Sequence, residues 1–470
     1  MAKSEDLLGF DVAALANMLR QREISPVELT ETYLARIRAT EDKLHAYITV
    51  TEEAALTAAH TAESEITAGR WRGPFHGVPV ALKDLCYTAG IRTTGGSKIL
   101  ADFVPAYDAT LWARLKEQGA VLLGKLNLHE FAYGITSSNP HHGFARNPYN
   151  LERIPGGSSG GSAVAIVARS AAATIGSDTG GSIRFPAAFC GCVGLKQTWS
   201  RVSRYGVIPL SDSLDHAGPI TRTVRDAALM LQVIAGHDPN DGTSSREPVP
   251  DYTRELGRDI KGMRIGLIKE MNTRLGADVT RGLAEAIKTL ESAGAIVDDV
   301  SAPALEAANA TFVVLAAEAL EYHEKWLKER PRDYGEDVRA RLEAALVLRV
   351  TDYIRGQRVR ALMLADAMRA LERHDVLLAP VAASTAPRIH SSGVCLDERG
   401  QPFDLMEAGV RFTLPFDATG QPALAIPIGL GADGLPLSMQ IVGRPFDEVT
   451  VLRVAEAYER ARGPLPAPNM

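Results

Sequence analysis

The spacing of apolar residues changes along the chain, and each spacing predicts one kind of element. After Ser25, apolar side chains recur three and four residues apart, at Val27, Leu29, Leu34 and Ile37. This period predicts an amphipathic helix. The serine and the proline that follows it are typical of a helix N-terminus. We therefore expect residues 1–70 to form a helical N-terminal segment.

From residue 78 the apolar period shortens to two. Val78, Val80 and Leu82 alternate with other residues in "HGVPVALKDL", which predicts a short strand that carries Lys83 near its end. A second strand is predicted in "GAVLLGKL", then a helix in "SAVAIVA" and another strand in "AAATIG". Strands that alternate with helices predict an α/β fold whose sheet is covered by helices on both faces.

A polar, proline-rich connection interrupts this pattern at residues 237–262. We expect it to mark an internal boundary within one domain that spans residues 1–470. The expected parts after the N-terminal segment are a catalytic core at 71–236, a partly separate helical lobe at 240–375, and strands and a helix at 376–470 that complete the sheet.

The composition and charge of the chain limit the kinds of molecule that the protein is expected to bind. The 470 residues are 46% hydrophobic, which allows a large buried core, and the formal net charge is −6. Lysine and arginine are scattered, so we expect no binding to nucleic acid by the chain itself and none to anionic membranes. The N-terminus has no signal-peptide pattern, and no apolar stretch is as long as a membrane span. These features predict a cytoplasmic protein.

Two partial motifs lack the residue that their chemistry requires. The segment Gly119–Leu126 resembles a nucleotide-binding P-loop, but Leu126 stands where a serine or threonine must hold magnesium. His129 and Glu130 begin like a zinc-protease motif, but Tyr133 stands in place of the second histidine. We therefore expect neither a metal nor another cofactor.

Two turns rich in glycine and serine contain the candidate chemistry. The stretch "GGSSGG" immediately precedes a predicted helix. Ser158 occupies the serine position of the GxSxG nucleophile-elbow motif, but the strand that must precede such an elbow is missing. The stretch "DTGGS" follows a predicted strand, and Ser182 at its end is the candidate nucleophile. The amides expected to stabilise an oxyanion belong to Thr179, Gly180, Gly181 and Ser182.

A serine nucleophile needs a base, and the residues leave two candidates open. His216 is the nearest histidine in sequence, although its pairing with Asp215 is more typical of a surface turn. Lys83 lies in an apolar segment, where burial would lower the pKa of its amine and make it a base.

Three segments together resemble the amidase signature family. They are "GVPVALKD" around Lys83, "PGGSSGGSA" around Ser158 and "GSDTGGSIRFPAAFCGCVGLKQT" around Ser182, separated by 75 and 24 residues. The resemblance implies a large mixed central β-sheet flanked by helices. It also implies that Ser182 is acylated, that Lys83 is the base, and that Ser158 relays protons from a cis peptide bond with Gly157.

Residues beside these motifs have weaker expected roles. Three are expected to support the catalytic residues: Ser159, Asp178 and Arg184. Asp178 and Arg184 are expected to fix the turn around Ser182 rather than to take part in catalysis directly. Ser159 is expected either to hydrogen-bond within the relay or to be a helix N-cap. Four residues are expected either to line a pocket for the acyl group or to be ordinary core: Phe131, Tyr133, Ile135 and Phe185.

The resemblance leaves two kinds of amidase open. One is a stand-alone hydrolase of a small-molecule carboxamide, and the other is the glutamine-hydrolysing A subunit of a tRNA-dependent amidotransferase. In such subunits an acidic residue just before a Phe-Thr pair holds the glutamine amine; here Val410 and Arg411 precede Phe412 and Thr413. The subunits' arginine-containing "RRIxLGTY"-like segment is replaced by "VRARLEAALVLRVTDY". We therefore expect the stand-alone hydrolase. Its expected partner is a small-molecule amide substrate, and the only assembly that we consider for it is a homodimer.

Overall fold

The computed structural model describes residues 7–389, 394–396 and 402–470. The strands of this part of the chain are β1 (Tyr47–Val50), β2 (Pro79–Lys83), β3 (Val121–Leu126), β4 (Ser138–Asn139), β5 (Gly143–Phe144), β6 (Ala173–Asp178), β7 (Val193–Lys196), β8 (His216–Thr221), β9 (Arg264–Ile268), β10 (Ile296–Val300), β11 (Val376–Pro380), β12 (Val394–Leu396), β13 (Pro402–Asp404), β14 (Ala423–Leu430) and β15 (Pro436–Val442). Eleven of them form one sheet in the order β1-β3-β2-β6-β8-β7-β14-β15-β11-β9-β10.

The α-helices of the described residues pack against this sheet and against one another. They are α1 (Val12–Gln21), α2 (Pro26–Leu44), α3 (Glu52–Thr67), α4 (Thr110–Glu117), α5 (Gly160–Val167), α6 (Arg184–Cys190), α7 (Val224–Ile234), α8 (Ala277–Ser292), α9 (Phe312–Glu329), α10 (Glu336–Ala345), α11 (Val350–Leu371), α12 (Leu405–Ala418) and α13 (Glu448–Arg462). The expected α/β fold with a large mixed central sheet is confirmed.

Local sequence chemistry explains where α2 begins. The Ser25 side chain accepts hydrogen bonds from the amides of Val27 and Glu28, and Pro26 occupies the first helical position. These contacts satisfy amides that have no partner inside the helix. The apolar stripe then buries Leu29, as the helical period predicts.

Parallel pairing brings the candidate catalytic segments to one edge of the sheet. Strand β2 pairs in parallel with both β3 and β6, and Leu82 lies opposite Ile175. The carboxyl ends of β2 and β6 therefore lie side by side. As a result, Lys83 at the end of β2 lies next to Ser177 and to the turn that follows Asp178.

The stretch 240–375 contributes both strands and helices. Strands β9 and β10 extend the central sheet in parallel beyond β11, and α9, α10 and α11 pack together on one another. One continuous cluster of buried apolar residues includes members from these elements. The division of the chain into four parts remains a prediction.

One stretch of the described residues, Pro303–Glu329, is long and apolar enough to cross a membrane by length and composition. The sequence had led us to expect no such stretch. Its side chains at Val314, Leu315 and Ala319 are buried inside the protein. A core helix of a globular protein passes the same test, so the stretch is no separate evidence for a membrane.

Candidate active site

The candidate base, Lys83, is fully buried at the end of β2. Its Nζ lies 2.6 Å from Ser158 Oγ and 2.8 Å from Ser177 Oγ. Burial lowers the pKa of Lys83 to about 7, although nearby carboxylates partly oppose the shift. A large fraction of this amine is therefore neutral near pH 7 and able to accept a proton from a serine hydroxyl.

The loop before α5 presents Ser158 to that amine. The peptide bond between Gly157 and Ser158 is cis, as the resemblance implies. The Ser158 carbonyl accepts hydrogen bonds from the His129 amide and the Ser137 hydroxyl, at 3.1 and 3.2 Å. A Cβ on Gly157 would lie 2.7 Å from the carbonyl carbon of Ile135, so this position has room only for glycine.

Ser159 connects the two candidate catalytic turns. Its hydroxyl donates to the Ser177 carbonyl and accepts from the Ser177 amide, both at 3.1 Å. Its own amide donates to the Ser182 carbonyl at 3.2 Å. Its side chain makes no capping bond to α5. The side chain thus bonds to the Ser177 backbone rather than to the N-terminus of α5, and no hydrogen bond joins it to Lys83 or to the Ser158 hydroxyl among the described residues.

The turn between β6 and α6 is held by one carboxylate. Asp178 accepts hydrogen bonds from the amides of Gly181 and Ile183, at 2.6 and 3.1 Å. The Gly181 amide is therefore already engaged and does not match the expected oxyanion role. The amides of Thr179, Gly180 and Ser182 meet no acceptor among the described residues, which leaves them as the candidate oxyanion donors.

Arg184 is a fully buried cation that neutralises this carboxylate. Its guanidinium contacts Asp178 at 3.0 Å and Asp417 at 2.6 Å, and it also donates to Gln440. Burial opposes ionisation of Asp178, but the charge and hydrogen bonds of Arg184 hold the pKa of that carboxyl well below its usual range. The pair fixes the turn through backbone amides and side chains rather than through the Ser182 hydroxyl, which supports a positioning role.

His216, the other candidate base, lies in β8 and is engaged elsewhere. Its Nδ1 is 3.2 Å from the Asp178 carbonyl, and its Nε2 is 3.2 Å from Lys196 Nζ. Burial and the neighbouring lysine hold the pKa of His216 well below its usual range. The structure thus brings Lys83, and not His216, into hydrogen-bond contact with Ser158.

A cavity opens beside Ser182. Its other lining residues are Ala132, Tyr133, Gly134, Ile135, Thr179, Gly180, Leu210, Phe312, Leu315, Arg341, Val410 and Leu414. Tyr133 and Ile135 therefore lie where a substrate pocket was expected. Phe131 and Phe185 do not line it: Phe131 packs against His323, and Phe185 packs against Phe189. Both phenylalanines are buried by these contacts and belong to the core, the other role that the sequence left open.

Arg341 is the one cation among these lining residues. Its Nη1 donates to the Tyr133 carbonyl at 2.9 Å and to Asp337 at 2.6 Å. Its other nitrogens make no hydrogen bond to a described residue. Of the two residues before Phe412, Val410 lines the cavity, whereas Arg411 does not and donates a hydrogen bond to the Glu270 carbonyl.

Sequence reasoning missed two residues of this site. Ser177 could have been found from strand pairing, because a parallel neighbour of β2 must end beside Lys83. Arg341 lies in α10, more than 150 residues from Ser182 in the chain, and only the fold brings it to the cavity.

Comparison with known proteins agrees with the site. The profile of the Amidase family matches residues 28–452. The chain is 45% identical to a glutamyl-tRNA(Gln) amidotransferase A subunit from Geobacter metallireducens, over 97% of this chain and 98% of that protein. The solved structure of the protein of the same name from Thermotoga maritima superposes with a TM-score of 0.82 at 33% identity, over 98% of both chains.

A second solved structure comes from a vestigial protein complex that bears on the origins of an s-triazine catabolic enzyme. It superposes with a TM-score of 0.92 at 33% identity, over 96% of this chain and 98% of that one. At this coverage the similarity includes most of the helical stretch 240–375.

These relatives correct one expectation. We expected a small-molecule amide as the partner, with no nucleic acid and at most a second copy of the chain. That is wrong, because the curated relatives are named as one subunit of an amidotransferase for glutamyl-tRNA(Gln). The comparisons also favour the amidotransferase alternative over the stand-alone hydrolase. The profile match, these identities and the central sheet together place the chain in the amidase signature family of carbon–nitrogen hydrolases.

Proposed function

We propose that this protein hydrolyses the side-chain amide of glutamine as the A subunit of a glutamyl-tRNA(Gln) amidotransferase. The observation that carries the proposal is the match to such subunits, at 45% identity over nearly the full length of both chains. The buried contact between Lys83 and Ser158 supports the same chemistry. A cytoplasmic location, expected from the sequence, remains part of this proposal.

The proposed reaction is acyl transfer. Neutral Lys83 takes a proton from Ser158, which takes one from Ser182 as the Ser182 oxygen attacks the amide carbon. The free amides of the turn stabilise the oxyanion that forms. Ser158 then passes its proton to the nitrogen and takes one back from Lys83, the carbon–nitrogen bond breaks and ammonia leaves. Water then attacks the Ser182 ester and releases glutamate.

The cavity has one feature that fits glutamine. The unengaged nitrogens of Arg341 are suited to bind the α-carboxylate, because a guanidinium pairs strongly with a carboxylate. The α-ammonium finds no carboxylate among the described side chains that line the cavity. Neither of the two residues before Phe412, Val410 and Arg411, is the acid that the amidotransferase pattern has there.

The decisive experiment compares glutamine hydrolysis by the chain alone with hydrolysis after addition of the other purified subunits of the amidotransferase. We expect glutamate and ammonia to form in the assembled enzyme. Ser182→Ala and Lys83→Ala should each reduce the rate by ~10³-fold or more. Ser170→Ala, a buried serine that precedes β6 at the end of the sheet away from Lys83, is the matched control. No glutamine hydrolysis in the assembled enzyme would refute the proposal.

One observation favours a second candidate, a stand-alone amidase for a substrate with an apolar acyl group and a carboxylate. Val410, Phe312 and Leu414 make the cavity wall largely apolar. A panel of alkyl, aryl and dicarboxylic amides, assayed with the chain alone, separates the two functions. Turnover of such an amide without added subunits, together with inactivity on glutamine, would favour this candidate.

A further inference from the structure

An apolar stripe lies on the outer surface of the α10–α11 region. Among the described residues, twelve large apolar side chains are strongly exposed, and five of them lie between residues 346 and 362. We call this set the apolar stripe: Leu346, Val347, Val350, Ile354 and Leu362. Single exposed apolar residues are ordinary, but a contiguous group marks an interaction surface.

Helical geometry makes Val350 and Ile354 neighbours, because residues four apart share one side of a helix. Leu362 lies eight residues beyond Ile354, about 80° further around α11, and Arg358 stands between them. The exposed apolar side chains therefore follow α11 over about 18 Å, and Arg358 interrupts them. Val347, in the turn just before α11, is 82% exposed and extends the stripe at its N-terminal end.

The opposite side of α11 is already buried. Met363, Ala367 and Leu371 face the interior, and Gly356 approaches α9 so closely that a Cβ would lie 2.9 Å from Val313. The helix is therefore held in place without help from its outer side. Val347 and Val350, at 82% and 72% exposure, contribute little to packing within the described part of the chain.

The charges around the stripe indicate the chemistry of its partner. Arg349 and Arg355 share one carboxylate, Asp352. Arg358 is exposed between Ile354 and Leu362 and has no ion pair among the described residues. The stripe therefore carries a local excess of positive charge. A second copy bound symmetrically would place like charges together, which disfavours self-association.

We propose that the apolar stripe docks another subunit of the amidotransferase, through an apolar segment of that subunit flanked by carboxylates. This inference rests on the proposed function, which makes the chain one subunit of an assembly. Apolar contact supplies affinity, and Arg358 supplies selectivity for an acidic flank.

The test measures binding of the purified remaining amidotransferase subunits to the full chain by titration calorimetry. The variant Val347→Ser/Val350→Ser/Ile354→Ser should bind roughly 100-fold more weakly than the wild type, and Arg358→Glu should also weaken binding. The control variant Val104→Ser/Ile296→Ser removes exposed apolar side chains elsewhere and should bind like the wild type. All these side chains are exposed, and a melting curve for each variant verifies folding.

The outcomes separate this inference from the proposed function. If the wild type binds the subunits and the triple variant binds equally well, the docking site is wrong while the proposed function stands. If the wild type binds none of the subunits, both are wrong. If light scattering finds that the chain alone dimerises and that the triple variant does not, the occupant is a second copy and the inference is overturned.

Discussion

At the level of single residues, the burial of Lys83, the proposed base, should determine how activity depends on pH. The neutral amine is the form that accepts a proton, and its pKa is lowered to about 7. The rate of acylation should therefore fall as pH drops below about 7 and level off above it. A profile of kcat/KM for ammonia release checks this prediction. A profile that stays flat from about pH 5.5 to about pH 8.5 would contradict it.

Ser177 provides a second prediction at this scale. Its hydroxyl accepts a hydrogen bond from Lys83, which favours the charged amine. Ser177→Ala should lower kcat by about tenfold, as expected for loss of one hydrogen bond. It should also move the midpoint of the pH profile to lower pH. Ser170→Ala should move neither quantity, and an unchanged midpoint in Ser177→Ala would exclude a contact with the base.

At the level of elements, the strand–turn–helix unit β6–α6 depends on Asp178. The carboxylate is buried, paired with Arg184 and bonded to the amide of Gly181. Asp178→Asn leaves the guanidinium without its closest partner in the turn, so we expect the free energy of unfolding to fall by ~3–5 kcal/mol. Urea denaturation measures this change. Glu285→Gln, which breaks an exposed pair with Lys288, is the control and should match the wild type.

The same unit adds a prediction about the turn itself. Gly181 has φ +124°, and a Cβ there would lie 2.3 Å from the Thr413 hydroxyl. Gly181→Ala should therefore displace α12 or the turn, and with it the neighbouring candidate donors. We expect kcat to fall by ~10²-fold, comparable to the loss of one oxyanion donor. Gly257→Ala, at φ +87° with nothing within 4 Å, controls for backbone strain alone.

The elements also show how far the sequence could predict this protein. The helix at Pro26–Leu44 and the strand that ends at Lys83 follow from local periods, and the structure has both. The motifs around Ser158 and Ser182 are short and local, so the sequence alone identifies them as well. The sequence could predict the cavity only in part: Tyr133 and Ile135 line it, whereas Phe131, two residues before Tyr133, packs in the core. Arg341 enters the cavity through tertiary packing, which no local period encodes.

At the level of the whole molecule, contacts from the stretch 240–375 reach the candidate active-site cavity. Asp337, in α10, accepts from His129 at 2.8 Å and from Arg341 at 2.6 Å. The Gly335 amide donates to the buried carboxylate of Glu130 at 2.7 Å. These bonds connect one wall of the cavity to the loop that follows β3. Substrate binding should therefore be sensitive to changes in α10, although α10 contains no candidate catalytic residue.

Asp337→Asn tests this connection. The substitution removes the charge that holds the Arg341 guanidinium against the cavity wall. Arg341 becomes free to turn toward solvent, where it no longer faces a bound carboxylate. We expect KM for glutamine in the assembled enzyme to rise by about tenfold, while kcat changes little because Lys83 and Ser182 are untouched. Asp333→Asn, whose partners Lys98 and Arg330 lie outside the cavity, should leave both constants unchanged. A fall in kcat with constant KM would instead mean that α10 positions the catalytic turns.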